Sequence, residues 1–216
     1  MWISPNTDLF SEQAHLLNLL PKDGVLNDYG RVMATEEGDN YFTELRGDVA
    51  WQPDSALLNG RLIKTAREVV WYADSPFRYI HSGVERQALQ WQGGSLLQLK
   101  RKIEELTVQR YNSCLLNLYH DGSQGIGWHA DVEAIESNDV IASLSLGAAR
   151  KFALKHKATG ELRELTLEHG QVIVMRGETQ RHWLHSVMKT KQSVGPRISL
   201  TFRCFPEQWR TQRYGA

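Results

Sequence analysis

Arg197-Ile198-Ser199-Leu200-Thr201-Phe202-Arg203-Cys204 alternates without a break: Ile198, Leu200, Phe202 and Cys204 fall on one side, Arg197, Ser199, Thr201 and Arg203 on the other. Successive side chains of a strand point to opposite faces, so the octet predicts a strand with one apolar and one polar face. Working back from it, further short strands are predicted at Ser113 to Tyr119, Val140 to Leu146, Arg150 to Lys155, Leu162 to Leu167 and Gln171 to Arg176, parted by glycines or charged turns. Upstream of Tyr111 the period is helical. Ser95-x-x-Gln98 has the pattern of a capping box, and Leu96, Leu99, Ile103 and Leu106 follow at three- and four-residue steps. Thr35, with Glu36 and Glu37 behind it, reads as an N-cap opening a helix through Phe42 and Leu45. Helices first and many short strands later, with no strand-helix alternation, predict an α+β, mainly β fold: an antiparallel barrel or jelly roll braced by helices.

Two stretches are less regular. Leu9, Phe10, Leu16, Leu17, Leu19 and Leu20 suggest a short helix or a strand-helix entry ending near Pro21 and Gly24. Between Asp54 and Gln92, Trp71, Tyr72, Phe77, Tyr79 and Trp91 mix with Lys64, Arg67, Arg78 and Arg86, which reads as hairpins or ordered loops lying over the barrel. The chain divides on this reading into an N-terminal helical or irregular extension, 1–54, packed on a core domain, 55–216.

The chain has 216 residues, which points to one large domain rather than an array. With 41% hydrophobic and 23% charged residues it has globular usage, excluding a mostly disordered or fibrous chain. Lys plus Arg and Asp plus Glu both number 25, so no global basic field draws it to nucleic acid, and any polyanion needs a local patch. Asp8 and Glu12 interrupt the region where a secretory signal would be apolar, no run approaches a membrane span, and two cysteines with no glycosylation sequon fit an intracellular compartment.

His129-Ala-Asp131 puts two metal-binding side chains two residues apart, aimed the same way if the segment is extended. His182 or His185, following the Gln171 to Arg176 strand, can supply a third ligand. Two histidines and one carboxylate make the facial set that leaves positions open on non-haem Fe(II), with zinc the rival by ligand type. Asn117 and Tyr119 share a strand face ten residues before His129 and offer an amide and a phenol donor. With Arg197 and Arg203 they suit a small dicarboxylate, because a guanidinium matches carboxylate geometry with two parallel hydrogen bonds.

The ordered set Asn117-x-Tyr119, His129-x-Asp131, Ser143-Leu144-Ser145-Leu146-Gly147, His185 and Arg197-x-Ser199-x-Thr201-x-Arg203 resembles the AlkB-type Fe(II)/2-oxoglutarate dioxygenases that dealkylate nucleic-acid bases. The resemblance covers roughly Leu57 to Phe205 and is nearest to the animal DNA-repair members. It implies a double-stranded β-helix (jelly-roll) core over about 111–206, with Fe(II) held by His129, Asp131 and His185. It implies 2-oxoglutarate held by Asn117, Tyr119, Arg197, Ser199, Thr201 and Arg203, Arg197 taking the distal carboxylate and Arg203 lying nearer the metal. The His185-Ser186-Val187 setting matches the family's second histidine, leaving His182 outside the set.

A nucleotide-recognition region is implied over about 57–92. There Arg67, Tyr79, His81 and Ser82 resemble the substrate-gripping hairpin, and Glu133 matches an acidic position near the exocyclic nitrogen of the base. His81 stands where an aromatic side chain is usual, Ala66 where proline is, and Ser199 where asparagine is. The implied reaction is oxidative demethylation of bases such as N1-methyladenine and N3-methylcytosine in alkylated DNA, or RNA, with O2 consumed and formaldehyde, succinate and CO2 released. The base would be single-stranded or flipped out, the protein a monomer with no membrane partner, in the cytoplasm or nucleus. The Lys155-His156-Lys157 turn and the Arg67 to Arg86 stretch are candidate phosphate grips. Two other readings are a dioxygenase acting on a protein or small metabolite, and a non-catalytic jelly-roll binding module.

Overall fold

A computed structural model describes residues 17–58, 60–81, 83–91, 93–131 and 140–206. In chain order the elements are β1 (Val25–Arg31), α1 (Thr35–Asp48), β2 (Gln52–Leu58), β3 (Arg61–Ala73), β4 (Arg78–His81), β5 (Val84–Gln87) and β6 (Leu89–Gln90). Then come α2 (Ser95–Thr107), β7 (Ser113–Tyr119), β8 (Ile126–His129), β9 (Ile141–Gly147), β10 (Arg150–His156), β11 (Leu162–Leu167), β12 (Gln171–Arg176), α3 (Thr179–His182), β13 (Trp183–Val187) and β14 (Arg197–Arg203). An eight-stranded sheet runs β1-β12-β9-β14-β7-β3-β2 with β6 beside β3, a four-stranded sheet runs β11-β10-β13-β8, and β4 pairs with β5. Antiparallel throughout except for the short β3–β6 pair, the two larger sheets make the jelly-roll core that the short strands predict.

The Arg197 to Cys204 octet explains how the layers stack. β14 lies between β9 and β7 in the middle of the large sheet. Its apolar face, Ile198, Leu200 and Phe202, joins Leu116, Leu144 and Leu146 and meets Tyr41 and Leu45 of α1 and Leu96, Leu99 and Ile103 of α2. Burying one such side chain stabilises the fold by about 1.5–3 kcal/mol. The polar face is not turned to solvent: Arg197 is 1% exposed and Arg203 3%. It looks into the space between the sheets, where a second apolar cluster of Leu26, Phe152, Leu154, Ile173, Met175 and Trp183 closes one end.

Three local expectations change. Neither helix is capped by its predicted side chain: α1 starts from Ala34 and α2 from Gly94, at φ 82°, each without a side-chain cap. Thr35 Oγ1 instead accepts from Arg31 at 2.7 Å, and the Ser95 hydroxyl donates to Glu44, which ties α2 to α1. The strands β1, β8 and β13 were not legible, because β13 buries His185, Ser186 and Val187 in succession and so hides the alternation. The Asp54 to Gln92 region is indeed hairpins, but β2 and β3 extend the large sheet through β7, and β4–β5 alone stands apart. Ahead of residue 55, β1 pairs with β12 as an edge strand, α1 packs on β9, and β2 runs across residue 54. Leu9, Phe10 and Leu16 lie outside the described residues.

Candidate active site

β13 runs between β10 and β8, with His185 directly across from His129 on one side and Leu154 on the other. The two imidazoles sit with ring centroids 4.2 Å apart. Asp131, two residues past His129, brings Oδ2 to 3.6 Å from His185 Nε2 and Oδ1 to 4.0 Å from His129 Nε2. All three ligand atoms lie within 4.8 Å of one another. His182 is not part of this group; its ring stacks on His156 instead.

The donor set suits a divalent cation. His129 Nδ1 faces the Gly127 carbonyl at 2.8 Å, so that nitrogen carries the proton and Nε2 turns its lone pair toward Asp131. Burial first, then the neighbouring His129, pushes the His185 imidazole down to about 3, which keeps it neutral and able to ligate. The Asp131 backbone N–H donates to Gln180 Oε1 at 2.9 Å, and Arg203 Nη1 lies 3.2 Å from Asp131 Oδ1.

Next to this trio the polar face of β14 is extended by its neighbours in register: Ser199 stands across from Asn117 and Ser145, Thr201 from Ser143, and Arg197 from Tyr119. Asn117, Tyr119, Ser143, Arg197, Ser199 and Thr201 line a small cavity together with His129, Asp131 and His185. Arg197 donates through Nη2 to Ser145 Oγ at 2.8 Å, and its carbon Cζ lies 5.4 Å from the Tyr119 ring centre. Its Nε and Nη1, both buried, make no hydrogen bond among the described residues. A buried guanidinium with two unpaired nitrogens is costly in itself and is what a carboxylate would complete.

Asn117 Oδ1 accepts from Arg67, and Arg67 also donates to Asp54, which in turn accepts from Arg86. With Oδ1 engaged, Asn117 keeps Nδ2 as a donor. Arg67, expected to grip substrate, is thus buried in an ion pair that links β2, β3 and β5 to β7. Lys157 is likewise engaged, donating to the Gln180 carbonyl at 2.9 Å. Glu133 and Ser82 lie outside the described residues, as do the side chains of Tyr79 and His81.

Sequence reasoning missed Gln180, Asp54 and Arg150. Arg150 donates to the Asp121 and Gln124 carbonyls on one loop and to the Met188 carbonyl on another, and its Cζ lies 5.8 Å from the Tyr119 ring centre. No local pattern marks these three, since each acts on chain remote in sequence.

A sequence model described as the 2OG-Fe(II) oxygenase superfamily matches residues 28–203. The chain belongs to this superfamily. Among similar superfamily proteins, the Alpha-ketoglutarate-dependent dioxygenase alkB homolog 3 of Bos taurus is 35% identical over 178 residues, covering 78% of this chain and 62% of that one. The DNA oxidative demethylase ALKBH2 of Mus musculus is 32% identical over 196 residues, covering 85% and 82%. The chain spans 62% of the length of that first relative, under two thirds. Of solved structures, that of OsALKBH1 superposes with a TM-score of 0.61 at 15% identity, over 86% of this chain and 98% of that one, which speaks to the superfamily fold alone. Among the described residues, no helix is long and apolar enough to cross a membrane.

Proposed function

We propose that this chain is an Fe(II)/2-oxoglutarate-dependent dioxygenase that removes alkyl groups from nucleic-acid bases such as N1-methyladenine and N3-methylcytosine in DNA. The observation that carries the reading is the buried Arg197 guanidinium, its Nε and Nη1 without a hydrogen-bond partner among the described residues, lining the same cavity as His129, Asp131 and His185. His129, Asp131 and His185 hold the iron. Arg197 receives the distal carboxylate of 2-oxoglutarate, helped by Ser145, and Asn117 Nδ2, Tyr119, Ser199 and Thr201 supply neutral contacts. Arg203, beside Asp131, meets the metal-proximal end of the co-substrate.

Bound iron with 2-oxoglutarate and O2 supplies the oxidation that hydroxylates the N-alkyl carbon, co-substrate leaving as succinate and CO2, and the hydroxymethyl base then releases formaldehyde. The protein contributes placement and exclusion of water. A stacked base cannot reach a site between two sheets, so the nucleotide enters flipped or from a single strand. Arg67, Tyr79, His81, Ser82 and Glu133 form the substrate side of this proposal, with Arg67 acting through Asn117. The relatives named as a DNA oxidative demethylase and an alkB homolog support the nucleic-acid substrate. We take the enzyme to work as an intracellular monomer, with 57–92 serving nucleotide recognition ahead of the 111–206 core.

The test is mass spectrometry of short DNA oligonucleotides carrying N1-methyladenine or N3-methylcytosine, incubated with protein, Fe(II), ascorbate and 2-oxoglutarate beside a His129→Ala control. The expected result is loss of one methylene mass that needs iron and vanishes in the control. Succinate without that loss would leave a dioxygenase with another substrate, an RNA, a protein or a metabolite. Neither product from iron-loaded protein would overturn the catalytic reading.

A further inference from the structure

We propose that Asp23, His156 and His182 form a second divalent-cation site, suited to zinc, where β10 ends and β13 begins. The ligand atoms of these three residues lie within 4.8 Å of one another. His156 Nε2 is 3.1 Å from Asp23 Oδ2, and the His156 and His182 rings lie nearly parallel, 7° apart in plane with centroids 6.2 Å apart. Two imidazoles and a carboxylate, with water or a further oxygen as fourth ligand, are a zinc donor set. Glu178 offers that oxygen, its Oε2 standing 3.5 Å from His182 Nε2.

The tautomer can be assigned either way by the partners of His156. Thr159 Oγ1 is 3.1 Å from His156 Nδ1 and, in the tautomer protonated there, accepts a hydrogen bond from Nδ1–H, which frees the Nε2 lone pair for a metal. In the other tautomer the Thr159 N–H, 3.2 Å away, donates to Nδ1 and Nε2–H donates to Asp23. A cation selects the first form, a metal-free chain the second.

The residues are fixed before any ion arrives. His156 is almost fully buried, edge-on to Trp183 at 4.9 Å and 78°. Asp23 sits in the left-handed region at φ 50°, a conformation that aspartate tolerates and most residues do not. On either side of Asp23 the chain is fastened to the α3–β13 segment. The Lys22 carbonyl accepts from Trp183 Nε1 at 3.1 Å, and the Val25 N–H donates to Thr179 Oγ1 at 2.9 Å. Between them, Gly24 passes so close that a Cβ there would fall 2.6 Å from Thr179 Oγ1. The facing cations are engaged elsewhere: Lys22 lies 3.8 Å from Glu161, and Lys157 donates to the Gln180 carbonyl.

A cation here joins the approach to β1, the end of β10 and α3. α3 carries Gln180, which holds the Asp131 peptide, and leads three residues later to His185. The site therefore stiffens the segments that present the active-site trio, without depending on what that trio does.

The test is zinc titration of metal-free protein, with stoichiometry read by elemental analysis and calorimetry and Tm read alongside. In a His129→Ala/Asp131→Ala chain one equivalent of zinc should bind and raise Tm by several degrees. Adding His182→Ala, at a half-exposed position, should abolish both effects. Should the double variant fail to fold, wild type against His182→Ala serves instead, with one equivalent fewer expected in the variant. Zinc binding that His182→Ala leaves unchanged, or no zinc bound by a folded His129→Ala/Asp131→Ala chain, overturns the proposal. If the trio itself holds no metal, wild type binds one equivalent instead of two, and His182→Ala removes that one.

Discussion

Gln180 and Asp131, forty-nine residues apart, meet in a single buried hydrogen bond: the Asp131 N–H donates to Gln180 Oε1 at 2.9 Å. The chain leaves β8 at this point, and the bond fixes where the carboxylate stands relative to the two histidines. Gln180 Nε2 donates in turn to Met175 Sδ at 3.3 Å, so the amide cannot turn freely. Gln180→Ala takes this acceptor from a buried N–H, a cost of about 1–3 kcal/mol. We expect iron affinity to fall about 10–100-fold, as for outer partners of metal ligands generally, with the secondary structure kept. Gln180→Glu, which retains the acceptor, should recover most of the loss. Unchanged Co(II) or Fe(II) binding in Gln180→Ala would show that the bond does not position Asp131.

Asp54 takes both Arg67 and Arg86, and Arg67 reaches on to Asn117. Removing the shared carboxylate strands two largely buried guanidinium groups, and breaking such a pair costs about 3–5 kcal/mol. Asp54→Asn should therefore lower Tm and also raise the KM for 2-oxoglutarate, because Arg67 no longer orients the Asn117 amide. Arg86→Ala leaves the Asp54–Arg67–Asn117 run intact and should raise that KM less. Equal KM effects from the two changes would mean that Arg67 does not transmit orientation to Asn117.

The contrast between these residues and the trio shows what a sequence can carry. His129-x-Asp131 and the alternating Arg197 to Arg203 strand are local patterns, so their shared direction is set by backbone period alone. The same period could not say which side of β14 faces water; its polar side turns inward because β9 and β7 flank it and a second sheet stands opposite. Short strands of ordinary alternation, such as Leu162–Leu167, were legible to the residue. β13 was not, since His185, Ser186 and Val187 are buried in succession and show no polar beat. Gln180, Asp54 and Arg150 act across the fold on partners that no window of sequence contains.

Arg197 is built for a ligand at a cost to the free protein. Arg197 is 1% exposed, burial lowers its pKa, and among the described residues its Nε and Nη1 make no hydrogen bond. Arg197→Met removes that unmet demand in a side chain of similar length. We expect the variant to be more stable than wild type without co-substrate, by about 1–3 kcal/mol, and to lose the stabilisation that 2-oxoglutarate gives wild type. Arg197→Lys keeps the charge but not the two-pronged geometry and should bind 2-oxoglutarate weakly. Thermal melts with and without 2-oxoglutarate check both; a less stable Arg197→Met chain would mean that the guanidinium supports the fold rather than the ligand.

Glu104 governs how the helical layer behind the active-site sheet responds to acid. It accepts from Lys100 at 2.8 Å, from the Tyr111 N–H at 2.9 Å and from Arg110 at 3.1 Å, which joins α2 to the start of β7. Burial pushes the carboxyl up, but the bonds from Lys100, Tyr111 and Arg110 outweigh it and hold the pKa below the ordinary 4.5. The unfolded chain thus takes up this proton at a higher pH than the folded one. The contribution of Glu104 is complete above about pH 4.5 and is lost as pH falls through the lower folded value. Glu104→Gln should cost about 1–3 kcal/mol at pH 7, by urea denaturation, and the gap to wild type should narrow steadily below pH 4.5. A gap that stays constant down to pH 3 would mean that the carboxylate charge does no more at this junction than an amide.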